Sequence, residues 1–329
     1  MRKLHLALAC LLPLLAFTVI VKGAYVRLTD AGLGCPDWPG CYGQLLVPET
    51  AQEITDTESL AARPLETGKA WAEMIHRYMA SGLGALILLL AGLAWRERHT
   101  HQPWVALSLV PLVMFQGLLG MWTVTLLLKP LVVALHLLGG FTLLSLLWWN
   151  LLEVRGAGRA SPGLQAATDL RPWAMFAVLV VFGQAFLGGW TSTNYAALAC
   201  TDFPRCHGQW WPDMDFANGF VLWRGLGINY EFGVLETPAR TAIHFTHRLG
   251  AVVVLLTLLW VFLQTRRLPA PGRGIGWCIL ALLSLQIALG VTNVIKGLPL
   301  PVAVMHNGVA ALLLLSVVTL FRYTRPRGP

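Results

Sequence analysis

The stretch AEMIHRYMASGLGALILLLAGLAW, residues 72–95, is apolar over most of its length and carries two charged residues, both near its start. About 20 apolar residues are enough for an α-helix to cross the hydrocarbon core of a bilayer. In lipid the backbone must satisfy its own hydrogen bonds, so a run of this length predicts a transmembrane helix. Seven further runs of similar character raise the predicted number to eight, at roughly residues 4–22, 104–126, 131–152, 173–193, 241–264, 275–295 and 301–321.

The composition also indicates an all-α integral membrane protein. Of the 329 residues, 56% are hydrophobic and only 12% are charged, whereas soluble domains carry about 25% charged residues. Because charge is costly to place in hydrocarbon, such a deficit means that most of the surface faces lipid. The formal net charge of +8 is spread over short loops instead of forming one patch, which excludes a nucleic-acid-binding protein.

The charge distribution predicts the orientation in the membrane. The N-terminus, the C-terminal tail and the connections 96–103, 153–172 and 265–274 together hold thirteen basic residues against three acidic ones. Such basic segments face the cytoplasm, so both termini are expected on the cytoplasmic side of the cell inner membrane. The first apolar run follows Arg2 and Lys3 as in a signal peptide, but it is long enough to span and we expect it to be retained.

The chain contains an internal duplication at an interval of 165–171 residues. The segment CPDWPGCYGQ (35–44) aligns with CTDFPRCHGQ (200–209). The dipeptide HR at 76–77 then aligns with HR at 247–248, and His136 aligns with His306. Since each half holds four helices, the halves are expected to be parallel repeats related by an axis near the membrane normal. The prediction is two tandem four-helix bundles, formed by residues 1–155 and 172–329, with a cytoplasmic linker at 156–171.

Four histidines occupy the same two positions in each repeat: His76 and His136 in the first, and His247 and His306 in the second. Four-helix bundles hold haem or metal between facing helices. Zinc usually takes three or four protein ligands, whereas two imidazoles suit a six-coordinate haem iron. All four histidines lie early in helices that enter from the outer side, which predicts two haems near the outer face. Glycines near them would let a helix or a macrocycle approach closely: Gly82, Gly84, Gly139, Gly140, Gly250 and Gly308.

Charged neighbours distinguish the two halves. Arg77 and Arg248 follow their histidines and are candidates to pair with haem propionates, or are interfacial arginines that reach towards headgroups. Glu73 lies three residues before His76, on the same helical face, whereas His244 occupies the equivalent position in the second half. A carboxylate there predicts a functional site, although headgroup water or a pair with Arg77 would also accommodate it. The asymmetry suggests that one haem is acted upon and the other is a fixed redox cofactor.

The four loop cysteines predict two disulfides. Cys35 and Cys41 share one outer loop, and Cys200 and Cys206 share the other. The outer face of a bacterial-type membrane permits disulfides, and only His207 adds a metal ligand to the two thiols of a loop. We therefore expect one disulfide in each loop, either structural or redox-active.

The sequence resembles the haem A synthase family over nearly its full length. The similarity lies in GAYVRLTDAGLGCPDWPGC (23–41), in EMIHR (73–77) and in the histidines at 136, 247 and 306. It implies an oxidoreductase that acts on a methyl group, converting the C8 methyl of haem O to the formyl of haem A for terminal oxidases. His76 and His136 would then receive the substrate haem, while His247 and His306 would hold a haem b cofactor.

The resemblance also implies partners and a role for Glu73. This residue matches the functional glutamate of the family, and it could stabilise a cation at the methyl carbon, form an ester with it, or act as a base. Expected partners are haem O synthase, cytochrome oxidase assembly proteins and membrane lipid, with homo-oligomerisation left open.

Two alternatives use the same histidines. A dihaem b-type electron-transfer cytochrome, such as a quinol oxidoreductase, would not need Glu73 in one half only. A haem transporter would place polar features near mid-membrane, whereas here they gather near the outer edge.

Overall fold

Eight long helices dominate the computed structural model, which describes residues 2–54, 58, 63–98, 103–156 and 165–325. All eight are long and apolar enough to cross a membrane, which confirms the predicted all-α, multi-pass membrane architecture. Half of the predicted linker, residues 157–164, lies outside the described residues. The helices are α1 Arg2–Leu28, α2 Thr67–Arg96, α3 Trp104–Thr125, α4 Pro130–Val154, α5 Gln165–Thr193, α6 Thr237–Thr265, α7 Ala270–Ile295 and α8 Leu300–Tyr323.

Several helices are longer than the apolar runs that predict them. Helix α1 continues to Leu28, and α2 begins at Thr67, five residues before its apolar run. The apolar pattern marks only the part that faces hydrocarbon, while packing against neighbouring elements can extend a helix beyond it. Four of the helices have proline at one of their first two positions, where the missing N–H costs nothing.

Each half forms a closed ring of four helices. In the first half, α1 and α3 each pack against both α2 and α4; in the second, α5 and α7 each pack against both α6 and α8. The halves meet through α1 with α8, α4 with α5, and α4 with α8. Exchanging the halves turns the first of these contacts into the second, so the interface is consistent with the predicted repeat.

The core lies along this interface. Leu12 of α1, Leu144 of α4 and Leu314 of α8 are fully buried in one apolar cluster. In the most apolar 18-residue segment of α8, 56% of the residues are buried, against 11% for α7. Helix α8 is therefore central, whereas α7 presents most of its surface to lipid.

The described residues of the loops 29–66 (the first loop) and 194–236 (the second loop) lie together at one end of the bundle, here called the loop end. Arg63 forms a bidentate ion pair with Glu231, with N–O distances of 2.7 and 2.9 Å. Arg27 donates to the carbonyl of Ser192 at 2.6 Å and lies over the ring of Tyr195. Arg27 and Ser192 are equivalent positions of the sequence repeat, and their contact is consistent with the predicted axis between the halves.

Lys129 joins the halves at the loop end, and its replacement by methionine is expected to loosen the second loop. The buried ammonium group donates to the carbonyls of Arg224 and Gly225, both at 2.6 Å, and lies over the ring of Trp223. Methionine keeps the apolar stem but removes both bonds, at a cost of about 1–3 kcal/mol. Limited proteolysis of the second loop should be faster in Lys129→Met than in the exposed control Lys296→Met. Equal rates would contradict this role for Lys129.

Candidate functional site

The four histidines lie near the loop end of the bundle. His76 and His136 are on α2 and α4, and His247 and His306 are on the equivalent helices α6 and α8. With a rise of about 1.5 Å per residue, each lies within about 15 Å of the start of its helix. Each pair thus comes from two helices of one ring, at similar depth.

Each histidine packs against a glycine on the preceding helix. His76 lies against Gly23 of α1, where an added Cβ would come within 3.0 Å of the ring carbon Cε1. The equivalent distance is 3.2 Å for Gly188 and His247. Any side chain at these glycines would push the ring away, so the glycines allow the imidazole to lie directly on the neighbouring helix. The remaining pairs are Gly120 with His136 and Gly290 with His306, at 3.5 and 3.1 Å.

The imidazoles fit a haem with two axial ligands. The Nδ1 atoms of His76, His136 and His306 are buried and have no hydrogen-bond partner among the described residues. The two imidazoles of each half come from opposite helices of one ring. Over the same part of the chain, no group of three or more His, Cys, Asp or Glu could hold a metal ion. Paired imidazoles without a third protein ligand suit an iron whose other ligands belong to a porphyrin.

Amide side chains contact the histidines of the second half. The side-chain amide of Gln184 of α5 lies 3.0 Å from Nδ1 of His247 and donates to the backbone carbonyl of His247 at 2.9 Å. The amide of Gln286 lies 3.2 Å from Nε2 of His306. Val19 occupies the position equivalent to Gln184 in the first half, so His76 has no such amide beside it. The two sites therefore differ in how firmly the protein holds their histidines.

Two disulfides close matching loops at the loop end, Cys35–Cys41 and Cys200–Cys206. In the first loop, the carboxylate of Asp37 accepts from the N–H groups of Tyr42 and Gly43, at 2.6 and 2.9 Å. Gly43 adopts a positive φ of 77°, which glycine tolerates best. These contacts explain the Asp and Gly of the repeated motif.

The second loop is built in the same way. Asp202 accepts from the N–H groups of His207 and Gly208, at 2.7 and 2.9 Å. The N–H groups of Gly208 and His207 hold the pKa of Asp202 below its usual range. All four loop cysteines are fully buried, so in this conformation the S–S bonds are closed to direct attack by a thiol protein.

Glu73 and Arg77 fasten the first disulfide loop to α2. Glu73 is 4% exposed; its Oε2 accepts from the Cys35 N–H at 2.9 Å, and its Oε1 pairs with Arg77 at 2.5 Å. Arg77 also donates to the carbonyls of Asp37 and Gly40, at 2.9 and 2.5 Å. The sequence left two ways to accommodate a carboxylate at this depth, headgroup water or a pair with Arg77, and the pair with Arg77 is present.

The second half uses His244 in place of Glu73. Its Nδ1 accepts from the Cys200 N–H at 3.3 Å, and Arg248 donates to the carbonyls of Cys200, Asp202 and Arg205. Both arginines therefore hold a loop. Their predicted contact with haem propionates stays a prediction.

The sequence matches the model of a family described as cytochrome oxidase assembly protein, COX15-CtaA, over residues 6–318. The chain belongs to this family. A haem A synthase of Shewanella oneidensis is 46% identical over 312 residues, which cover 93% of each chain. Haem A synthases of Caulobacter vibrioides and Halalkalibacterium halodurans are 29% and 27% identical, over 96% and 90% of this chain and 94% and 88% of their own. The predicted family resemblance is confirmed.

Two features of this cytochrome oxidase assembly protein were missed by sequence reasoning. The glycines that contact the histidines, such as Gly23 and Gly188, are not those that the sequence singled out. The role of Asp37 and Asp202 in closing the disulfide loops was also missed. The repeat held a signal for both, because each residue has an identical counterpart at the interval of 165 residues.

Proposed function

We propose that this chain is a haem A synthase, which oxidises the C8 methyl group of haem O to a formyl group and so supplies haem A for cytochrome oxidase biogenesis. The observation that carries the proposal is the pair of partly buried imidazoles in each helix ring, with the carboxylate Glu73 one turn before His76 in the first ring only. The relatives named above support the same function.

The two halves divide the work. His76 and His136, in residues 1–155, would hold the substrate haem, and His247 and His306, in residues 172–329, would hold a resident haem b. The amide of Gln184 on His247, where the first half has Val19, supports a fixed group in the second half and an exchangeable one in the first. When bound, the haem b would accept electrons one at a time from the substrate.

The reaction exchanges methyl hydrogens for oxygen from water. Methyl plus water gives formyl with loss of four electrons and four protons, through a hydroxymethyl group and a geminal diol that loses water. The electrons leave through the second half to an external acceptor. His76 and His136 orient the substrate ring, while Glu73 supplies a negative charge or a base near it. Arg77 and Arg248 would meet propionates at the loop end, in addition to the loop carbonyls that they bind.

The excess of basic residues in the short loops and tails supports an orientation with both termini in the cytoplasm and the loop end on the outer face of the inner membrane. The substrate would come from a haem O synthase and the product would pass to cytochrome oxidase assembly proteins. Both haems would then bind near the outer leaflet.

Pigment extraction from the purified wild-type protein tests the function. In cells that make haem O, the protein should yield haem b together with haem O or haem A, identified by chromatography and mass spectrometry. Haem b alone, at about two per chain, would indicate an electron-transfer cytochrome instead. Absence of any haem would contradict both functions.

A further inference from the structure

The first disulfide loop lies directly over the carboxylate that the proposed function places at the reaction. Its Cys35 N–H binds one oxygen of Glu73 and Arg77 binds the other. With both oxygens held, the carboxylate cannot rotate freely about its terminal bond. Catalytic groups need positions accurate to about 0.5 Å. Because the loop supplies the Cys35 N–H, the residues that fix the loop also affect the position of the Glu73 carboxylate.

The loop owes its shape to Asp37. This carboxylate joins the N–H groups of Tyr42 and Gly43 to the start of the loop, which the disulfide closes on the other side. The carbonyl of Asp37 accepts from Arg77. Asp37 thus links the fold of the loop to both partners of Glu73.

The second half shows that fastening the loop does not require a carboxylate. There His244 accepts the N–H of Cys200 in place of Glu73, and an otherwise matching loop is held. Since a histidine can perform the fastening, the carboxylate in the first half is free to serve another purpose.

The first loop also approaches its helix more closely than a side chain allows. A Cβ on Gly34 would lie 2.7 Å from the backbone carbonyl of Lys69 in α2, well inside ordinary contact. The equivalent residue in the second half is Ala199. The tight contact next to Cys35 is therefore particular to the half that contains Glu73.

We propose that Asp37 and Gly34 are positioning residues for the oxidation, acting through the Cys35 N–H to set the orientation of the Glu73 carboxylate. This inference rests on the proposed haem A synthase function. Neither residue touches the reacting atoms. Each sets the place of the peptide group that does touch Glu73.

The test compares Asp37→Asn with Asp202→Asn, which weakens the same bonds in the second loop, whose first cysteine binds His244 instead of Glu73. An asparagine offers one acceptor oxygen and an N–H₂ group, so one of the two loop bonds is lost. For Asp37→Asn we expect the turnover of haem O to haem A to fall about 10-fold or more, since misplacement by about 1 Å costs up to 10²-fold. The amounts of bound haem O and haem b, the KM for haem O and the disulfide content should match the wild type. Asp202→Asn should turn over like the wild type.

Equal losses in the two variants, or a loss that parallels the loss of bound haem, would overturn the positioning role. Gly34→Ala provides a second variant in case Asp37→Asn does not fold, and normal turnover in folded Gly34→Ala would also overturn it. A wild type that forms no haem A would contradict the proposed function itself, whereas an active wild type with active variants contradicts only the inference.

Discussion

Glutamine in place of Glu73 should abolish haem A formation while both haems stay bound. The amide has the shape of the carboxylate and keeps an oxygen for the Cys35 N–H, but it carries no negative charge and is a poor base or nucleophile. Groups that act in proton transfer contribute about 10²–10⁴-fold to a rate, so we expect the yield of haem A to fall at least about 100-fold. Chromatography of the extracted pigments measures this loss, and haem O should accumulate in place of haem A.

The fold should tolerate this substitution. Glu73 and Arg77 form a largely buried ion pair, and removing one partner of such a pair typically costs about 3–5 kcal/mol. Arg77 keeps its bonds to the carbonyls of Asp37 and Gly40, so its charge stays solvated by protein oxygens and the cost should be smaller. His244→Gln changes the equivalent position of the second half and should leave haem A formation intact. Normal haem A formation in Glu73→Gln would remove Glu73 from the chemistry.

The helices could be predicted because lipid restricts what a chain can do. Each apolar run has to satisfy its backbone internally, so the number and order of spans follow from length and hydropathy. The helix ends were less predictable. Residues 67–71 of α2 and 23–28 of α1 are helical beyond the apolar runs, where the loop end packs over them. Hydropathy carries no information about that packing.

The placement of two histidines in each helix ring could be predicted because the chain supplies an internal comparison. A recurring pair such as His76 and His247 stands out when two halves are aligned, and identical glycines at 23 and 188 carry the same signal. What Arg77 contacts could not be deduced from sequence. Loop carbonyls and haem propionates are both oxygen acceptors at the membrane edge, and only the folded chain places the carbonyls of Asp37 and Gly40 within reach.

The structure shows that Glu73 and His244 make equivalent contacts in the two halves. Both side chains accept the N–H of the first cysteine of a disulfide loop, Cys35 or Cys200. The same contact is therefore made by a carboxylate in the first half and by an imidazole in the second, and each half keeps its disulfide loop. A carboxylate beside one histidine pair and an imidazole beside the other is the difference expected if the first site reacts and the second holds a fixed redox group.

The alanine variants of His247 and His306 should each lose haem b and all haem A formation. Removing one imidazole would leave the proposed haem b with a single protein ligand, and electrons from the substrate would then have no resident acceptor. We expect the haem content, measured by the pyridine haemochrome assay, to fall from about two haems per chain towards one. The remaining pigment should be haem O. The apolar cluster along the interface between the halves should keep the protein folded, as judged by gel filtration in detergent.

The matched variants His76→Ala and His136→Ala make this result decisive, because the repeat places the same substitution in the other half. They should lose haem O and haem A but retain haem b, since the amides of Gln184 and Gln286 still support the second site. Opposite pigment losses in the two sets would show that the halves hold different haems. If both sets instead lose the same pigment in the same proportion, the halves are chemically equivalent, and the chain moves electrons between two fixed haems without modifying either.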